Sequence, residues 1–406
     1  MSVTVEEHLA AILAEVRPSP PRRLPLDEAG GCVLAEDVTS RTPIPLFDNS
    51  AMDGYAVHRA DLAGASEVRP VELAVVADLP AGTSERPLIR RGTVARIMTG
   101  APLPDGVDAI VPVERTDGGT TTVLIRQYPE PAAHIRRAGD DMAAGSLVVR
   151  RETHLTARHV SAAAAAGHGT LLVHRRPRVA VIATGTELVP PGEPTAWGQI
   201  PDSNSYLLAQ SVSEAGGVAV RIGAVPDDEA QLAQILATVS PDVDAVLLSG
   251  GVSVGAYDVV KAVLAPLETM HFGTVLMQPG KPQGWGRLAD GTLVFALPGN
   301  PVSAYVSFEV FVKPALRRLA GHLDVAADRH VATVSEGWRS PPGREQFMPV
   351  IVERKGSTVY ARPAARRGSG SHLVGGLASS DGLARVPADV VEVFDGDEVS
   401  VILGAS

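Results

Sequence analysis

The sequence predicts a multidomain protein of mixed α/β and β structure, and three observations support this fold class. The chain has 406 residues, which is too long for one ordinary hydrophobic core. Between residues 178 and 297, continuous apolar runs of strand length alternate with amphipathic helical patterns, as in a mostly parallel sheet covered by helices on both faces. Elsewhere, glycine and proline separate short β candidates, which is typical of small β domains.

The N-terminal third predicts one helix followed by short strands. An amphipathic helix over residues 5–16 ends before the Pro-rich residues 18–21, because proline disfavours a helical residue ahead of it. A pair of short strands is expected between residues 24 and 45, with a turn at Gly30–Gly31. An all-β insertion follows, with strands predicted at residues 54–58, 71–76, 93–98, 109–114 and 122–126.

The remainder predicts an α/β region and then a second β region. A loop and strand over residues 138–149 lead into an alanine-rich helix over residues 157–166. The runs RVAVIAT, AVLLS and LVFAL predict buried strands at residues 178–184, 245–249 and 293–297, with helices at 203–215 and 228–239. After a helix that runs past Pro314 to His322, a C-terminal β domain is predicted from strands at 331–335, 347–353, 358–362 and 398–403.

Charge and cysteine content exclude several classes of protein. The formal net charge of -10 argues against a nucleic-acid-binding surface, which is normally basic. The single cysteine, Cys32, excludes an intramolecular disulfide and a multi-cysteine metal site. The N-terminal segment is acidic and amphipathic, unlike a signal peptide, and no apolar run is long enough to span a bilayer. We therefore expect a soluble, cytoplasmic protein with no nucleic-acid or membrane partner.

Three Gly-rich loops directly follow predicted strands: TGTEL at residues 184–188, SGGVSVG at 249–255 and LPGNPVS at 297–303. The carboxyl ends of parallel strands meet at one edge of a sheet, so these loops should converge. Successive backbone N–H groups in such loops, together with a following helix N-terminus, form an anion pocket. The alternative is that the glycines only permit tight turns. Three loops at one edge favour anion binding.

Charged residues near the loops predict a divalent cation and an oxyanion. Glu187, Asp227 and Asp258 would repel an anionic ligand unless a cation such as Mg²⁺ lay between them. The alternative for Asp227 and Asp228 is helix capping, which we favour for Asp228. Lys281 lies in a Pro-Gly-Lys-Pro turn and supplies a compact charge suited to a tetrahedral oxyanion, unless it is only a surface-turn lysine.

Seven segments, taken in order, resemble the molybdopterin molybdotransferase family, which includes bacterial MoeA and the E domains of gephyrin and its plant counterparts. Three of the loops above belong to this set, with the second extended to Asp258, and the Pro-Gly-Lys-Pro turn is a fourth. The others are DNSAMDGYAV at residues 48–57, RIMTGAPLP at 96–104 and RRAGDDM at 136–142. Ordinary hairpin chemistry would explain the first two of these alone, but the ordered set covers most of the chain.

The resemblance implies an elongated homodimer with four domains in each chain. Residues 1–20 and 175–318 would form an α/β/α domain like that of molybdopterin adenylyltransferase, and residues 21–42 and 139–174 a small mixed linking domain. Residues 43–138 would form the β-rich insertion domain, and residues 319–406 a C-terminal β-barrel-like domain. Transient contact with molybdopterin adenylyltransferase and with molybdoenzyme maturation factors is also implied.

The implied reaction inserts molybdate into adenylylated molybdopterin, with cleavage of the pyrophosphate link and release of AMP. Mg²⁺ is the expected metal, and another divalent ion is open. Glu187, Asp227 and Asp258 would serve the metal or phosphate, while Asp53 and Thr99 would come from the other subunit, supported by Asp141. The oxyanion would be bound by Lys281, Ser303, Arg344 and Ser371. The other binding residues implied are Gly250, Gly251, Ser253, Gly255, Pro298, Gly299 and Asn300.

Three alternative functions stay open at this point. The α/β region suits ATP-dependent adenylylation of molybdopterin almost as well, although the β-rich segments favour the molybdotransferase. A binding role without turnover is the second alternative, and purified protein that bound a peptide partner without turnover would support it. Tungstate in place of molybdate is the third, because the two oxyanions are nearly the same size and shape.

The chain departs from many relatives at Gln278, where they carry lysine. A neutral amide donates hydrogen bonds but supplies no charge, so the predicted oxyanion pocket has one cation fewer. We predict that Gln278→Lys tightens molybdate binding, measured by titration calorimetry. Unchanged or weaker binding would show that charge at this position is not limiting.

Overall fold

The structure, a computed structural model, describes residues 2–252, 258–326, 329–365 and 370–404. By its contacts the chain divides into two compact units. The first unit comprises residues 1–22, 31–35 and 172–406, and the second unit comprises residues 23–30 and 36–171. The boundaries predicted above for four domains stay a prediction.

The helices of the described residues are short to medium in length, and none of them is long and apolar enough to cross a membrane. In chain order they are α1 (Val5–Glu15), α2 (Leu26–Ala29), α3 (Ala157–Ala165), α4 (Asn204–Glu214), α5 (Glu229–Val239), α6 (Val259–Leu264), α7 (Pro301–Ser307), α8 (Lys313–Leu319) and α9 (Val374–Ala378). A π-helical stretch, Phe308–Val312, joins α7 to α8.

The strands follow in chain order. They are β1 (Ser2–Val3), β2 (Arg22–Pro25), β3 (Val33–Leu34), β4 (Val38–Thr39), β5 (Asn49–Ser50), β6 (Gly54–Val57), β7 (Val71–Leu79), β8 (Thr93–Ile97), β9 (Ala109–Pro112), β10 (Thr122–Ile125), β11 (Ile135–Arg136), β12 (Leu147–Val149), β13 (Thr170–His174), β14 (Arg178–Thr184), β15 (Leu188–Val189), β16 (Ile200–Pro201), β17 (Val218–Val225), β18 (Ala245–Ser249), β19 (His271–Val275), β20 (Met277–Gln278), β21 (Pro282–Arg287), β22 (Leu293–Leu297), β23 (Arg329–Val334), β24 (Trp338–Arg339), β25 (Glu345–Lys355), β26 (Thr358–Pro363), β27 (Gly382–Val386), β28 (Glu392–Val393) and β29 (Glu398–Leu403).

A seven-stranded sheet in the order β1-β19-β21-β22-β18-β14-β17 forms the centre of the first unit. Strands β22, β18, β14 and β17 are parallel, which confirms the predicted mostly parallel sheet. Strand β21 is antiparallel to both β19 and β22, and neither β19 nor β21 was predicted. Proline and glycine in β21 weaken the sequence signal for a strand, but Gly286 is required there, since a Cβ would lie 2.3 Å from the Thr269 carbonyl oxygen.

Helices cover both faces of this sheet because alternate residues of its central strands point to opposite sides. Val179 and Val181 pack in one core with residues of α1, α4, α7 and α8. Ala180 and Ile182 pack in a second core with residues of α5 and α6. Full burial of an aliphatic side chain such as Ile182 contributes about 1.5–3 kcal/mol. The continuous apolar runs in the sequence therefore correspond to strands buried on both sides.

A closed five-stranded barrel lies at the C-terminal end of the first unit. Its strands follow the order β25-β26-β23-β29-β27, and β27 closes the barrel by pairing with β25. The short strand β20 adds to the barrel through parallel pairing of Gln278 with Gln346. The predicted barrel-like C-terminal domain is confirmed, and the pairing attaches the segment before Lys281 to the barrel.

The second unit contains a five-stranded sheet in the order β10-β7-β8-β6-β9. These strands coincide with the five short β candidates of the sequence, and β7 extends three residues beyond its predicted end. The expected strand pair between residues 24 and 45 is wrong in its pairing. Strand β3 pairs with β13 and β4 pairs with β12, because helix α2 occupies the segment that was expected to supply the first strand.

His8 of α1 is a buried titratable group in the first unit. Only 8% of the residue is exposed, and its ring meets the Phe311 ring edge-on at a centroid distance of 4.7 Å. Burial, and to a lesser degree the neighbouring His271, lower the pKa of His8 from 6.5 to about 4. The folded protein therefore holds His8 neutral at pH values where the unfolded chain binds a proton.

We predict that the free energy of unfolding falls as the pH is lowered from about 6.5 to 4. In this range the unfolded chain binds a proton at His8 that the folded chain does not. Below pH 4, His8 has lowered the free energy of unfolding by about 3 kcal/mol relative to its value at neutral pH. His8→Gln should flatten this part of the pH dependence in urea unfolding. His330→Gln, at an exposed position in β23, is the control and should follow the wild type. Identical curves for all three proteins would contradict the assignment.

Candidate active site

The three Gly-rich loops of the first unit meet at the carboxyl edge of the seven-stranded sheet. A Cβ atom on Gly250 would lie 2.6 Å from the Thr184 carbonyl oxygen, and one on Gly299 would lie 3.4 Å from the Gly250 Cα. Gly250 has a φ of 99°, which strains any other residue, and its amide donates to the Leu297 carbonyl at 3.1 Å. The backbones of the loops after β14, β18 and β22 are therefore in contact.

A cavity of about 890 Å³ opens at this edge, within the range of small-molecule sites. It brings together most of the residues predicted for the α/β part of the site. Those that line it are Glu187, Asp227, Asp258, Gly250, Gly251, Lys281, Pro298, Gly299, Asn300, Ser303 and Ser371. Two further predicted residues, Ser253 and Gly255, lie outside the described residues.

The acidic residues of the cavity are held in different ways. The Thr186 amide and hydroxyl donate to Asp227 Oδ2 at 3.0 and 3.2 Å, so this carboxylate joins the loop after β14 to the loop after β17. Glu187 lies over the Gly185 backbone, where a Cβ would be 2.7 Å from Oε2. Asp228 caps α5 by accepting from the Gln231 amide at 2.8 Å, which confirms the predicted capping role.

Asp258 lies at the N-cap position of α6 but makes no side-chain capping bond there. Within the described part of the chain, no group of three or more His, Cys, Asp or Glu side chains is arranged to hold a metal ion. Glu187, Asp227 and Asp258 thus share one cavity without forming a ready-made set of three protein ligands. Sequence spacing alone does not show whether three carboxylates only share a cavity or already form a metal-binding set.

The predicted oxyanion residues lie on segments that are joined by hydrogen bonds. Asn300 donates through Nδ2 to the Ser371 hydroxyl at 3.0 Å, and the Val302 amide donates to the Ser371 carbonyl at 3.1 Å. Arg344 does not line the cavity, but its Nη1 lies 3.4 Å from Gln278 Oε1. A lysine at position 278 would lose this acceptor and stand beside the Arg344 guanidinium.

Sequence reasoning missed several residues that line or support the cavity. Asn204 donates through Nδ2 to the Gly299 carbonyl at 2.7 Å, and the buried carboxylate of Asp202 accepts from the Ser205 amide at 3.0 Å. The Asp-Ser-Asn run at residues 202–204, just before a helical pattern, was a capping signal that could have found them. No comparable signal marks Gln283, which is 3% exposed beneath the Lys281 turn.

In the second unit, the structure brings Asp53 and Thr99 together. The Thr99 amide and hydroxyl each donate to Asp53 Oδ1 at 2.7 Å. These two hydrogen bonds, with a smaller contribution from the charge of Arg96, lower the pKa of Asp53. Asp141 is exposed, and its backbone amide donates to the Ile44 carbonyl at 3.0 Å.

Comparison with known proteins gives matches along nearly the whole chain. Residues 3–167 match the MoeA N-terminal region (domains I and II), residues 180–318 match a probable molybdopterin binding domain, and residues 331–403 match the MoeA C-terminal region (domain IV). Two curated relatives from Mycobacterium tuberculosis, molybdopterin molybdenumtransferases 2 and 1, are 45% and 34% identical, with 98% of each chain covered. A crystal structure of a molybdopterin biosynthesis MoeA protein from Pyrococcus horikoshii is similar at a TM-score of 0.80 with 31% identity, covering 99% of both chains.

We predict that Thr99→Val raises the pKa of Asp53 towards its ordinary value, because one of two hydrogen bonds to the carboxylate is lost. The shift should be partial, since the Thr99 amide still donates. Thr99→Ser keeps the hydroxyl and should leave the pKa unchanged. Carbon-13 NMR titration of the carboxyl groups measures this, and Asp48, which is held by Arg137 and Ala138, is the internal control. An equal shift at Asp48 and Asp53 would contradict the prediction.

Proposed function

The chain belongs to the MoeA family of molybdopterin molybdenumtransferases, and we propose that it inserts molybdenum into molybdopterin during molybdenum cofactor biosynthesis. The proposed substrates are adenylylated molybdopterin and molybdate. The pyrophosphate link of the first is cleaved, AMP leaves, and the metal remains on the pterin dithiolene. The observation that carries this proposal is a cavity that joins Gly-rich loops, suited to phosphate, to a lysine turn, suited to an oxyanion.

The Gly-rich loops would bind the phosphate groups through backbone amides. The Gly250 amide already donates to Leu297, so we assign the phosphate contacts to the neighbouring amides of Gly251 and Gly299. The close approach of Gly299 to Gly250 leaves backbone rather than side chains facing the ligand. Pro298 and Asn300 shape the same loop, and Asn300 is oriented by its hydrogen bond to Ser371.

The charge of the cavity calls for a cation when a phosphate ligand binds. Its lining contains the carboxylates of Glu187, Asp202, Asp227 and Asp258 against the ammonium of Lys281. Mg²⁺ is commonly held by one or two carboxylates together with substrate oxygens, so the donor set fits an ion that arrives with the substrate. We propose Asp258 and Glu187 as its ligands, with Asp227 as a third carboxylate positioned by Thr186. When bound, Mg²⁺ would neutralise charge on the pyrophosphate link.

The opposite half of the cavity would bind molybdate. Lys281 is exposed, and among the described residues no carboxylate lies within ion-pair distance of its ammonium, so its charge is available to a dianion. Ser303, which is 4% exposed, and Ser371 supply hydroxyl groups. Arg344 does not line the cavity, but it would add positive charge next to it through its contact with Gln278. Tungstate, which is nearly the same size and shape as molybdate, would bind to the same residues.

Other parts of the proposal rest on the resemblance alone. They are a cytoplasmic homodimer, contact with molybdopterin adenylyltransferase and molybdoenzyme maturation factors, and the site roles of Asp53, Thr99 and Asp141. The four-domain division of the chain belongs with them.

The reaction is tested by measuring AMP release from adenylylated molybdopterin with Mg²⁺, with and without molybdate. Molybdate-dependent release with formation of active cofactor is expected. No release at any molybdate concentration would contradict the proposal, and ATP-dependent adenylylation of molybdopterin by the purified protein would favour the adenylyltransferase instead.

We predict that Asp258→Asn lowers the rate of AMP release by roughly a hundredfold, because a charge that stabilises the transition state through the cation is lost. Excess Mg²⁺ should restore part of the rate. Asp242→Asn is the matched control, since this exposed aspartate precedes β18 whereas Asp258 follows it. Equal rates for the two variants would remove Asp258 from the site.

A further inference from the structure

Two buried polar side chains, Gln283 of β21 and Ser307 of α7, lie beneath the half of the cavity that contains Lys281 and Ser303. Gln283 is 3% exposed and Ser307 is fully buried. Neither side chain lines the cavity. Burying an amide or a hydroxyl is unfavourable unless its hydrogen bonds are satisfied, so the partners of this pair show what the burial achieves.

The pair forms a continuous chain of hydrogen bonds between two backbone segments. Gln283 Nε2 donates to the Gly280 carbonyl and to Ser307 Oγ, each at 2.6 Å. Ser307 Oγ in turn donates to the Ser303 carbonyl at 2.7 Å. Both Nε2 hydrogens and the hydroxyl hydrogen are used, so the direction of every bond in the chain is fixed.

The turn that carries Lys281 is packed directly against this pair. Gly280 has a φ of 102°, and a Cβ on it would lie 3.1 Å from Ser307 Oγ and 3.4 Å from Gln283 Nε2. On the other side of the turn, the Lys281 carbonyl accepts from the Val275 amide at 2.9 Å. The turn therefore has little room to move toward α7 and is tied on both sides.

We propose that Gln283 and Ser307 are positioning residues of the oxyanion half of the site. By linking the Gly280 carbonyl to the Ser303 carbonyl, they set the separation between the Lys281 ammonium and the first turn of α7, where Ser303 lies. This inference rests on the proposed function, because that proposal assigns Lys281 and Ser303 to molybdate. A small tetrahedral dianion is bound well only when its charged and hydroxyl partners are held at a fixed spacing.

Two substitutions interrupt this series of hydrogen bonds at different points, and a third substitution serves as the control. Gln283→Leu introduces an apolar side chain of similar size and so removes both N–H donors, and Ser307→Ala removes the central hydroxyl. Thr292→Val is the control, because Thr292 is 7% exposed and its Oγ1 donates to the Ser240 carbonyl at 3.2 Å. Thr292 precedes β22, whereas the cavity lies beyond the other end of that strand.

The measurements are molybdate and AMP binding by calorimetry, the KM for molybdate, and hydrogen exchange of the turn, all on the full chain. In Gln283→Leu and Ser307→Ala we expect molybdate affinity to fall about tenfold to a hundredfold, with a matching rise in the KM for molybdate. AMP affinity should stay within about twofold, and the backbone amides of Gly280, Lys281 and Gln283 should exchange faster. Thr292→Val should lower the melting temperature without any of these changes.

Molybdate affinity within about twofold of the wild type in both folded variants would overturn the inference. Equal loss of molybdate and AMP affinity in all three variants would also overturn it, because that pattern indicates general destabilisation. A wild-type protein that releases no AMP would contradict the proposed function instead. In that case hydrogen exchange still decides the inference. Faster exchange of the Gly280, Lys281 and Gln283 amides in the two variants but not in Thr292→Val supports it, and unchanged exchange overturns it.

Discussion

The close approach of three backbones at the carboxyl edge of the seven-stranded sheet is the constraint on which the first unit depends. At Gly250 a side chain would meet the Thr184 carbonyl oxygen at 2.6 Å, and at Gly299 it would meet the Gly250 Cα at 3.4 Å. Any larger residue at position 250 would push the loops after β14 and β18 apart. Because the loops touch through backbone, the space above them is lined by peptide groups and is open to a ligand rich in oxygen atoms.

The two halves of the cavity are stabilised by different kinds of interaction. In the acidic half, the exposed carboxylate of Asp227 is positioned by two hydrogen bonds from Thr186. In the lysine half, positioning comes from buried groups, since Gln283 and Ser307 have all their donors engaged. This difference is consistent with the proposed function. There, the phosphates of one substrate bind together with a metal ion, whereas molybdate enters a preformed pocket.

Much of the fold and part of the candidate site could be predicted from the sequence. Residues 178–184 and 245–249 form strands as predicted because a run of apolar residues without polar alternation is stable only between two covering layers. The resemblance implied that Asp53 and Thr99 serve the same site, and two 2.7 Å hydrogen bonds join them. Strand β21 and its buried Gln283 were missed, since a strand that contains proline, glycine and glutamine gains its stability from neighbours distant in the chain.

By itself, the sequence determined the fold class, many of the strands and helices, and the family, because local patterning and an ordered set of motifs carry that information. Only the tertiary structure decided which residues meet. It placed Arg344 behind Gln278 rather than in the cavity lining, closed the C-terminal barrel through β25 and β27, and buried Ser307 against Gln283. The physical reason is that burial and hydrogen-bond partners arise when segments far apart in the chain pack together, and no local pattern records which partner each segment will find.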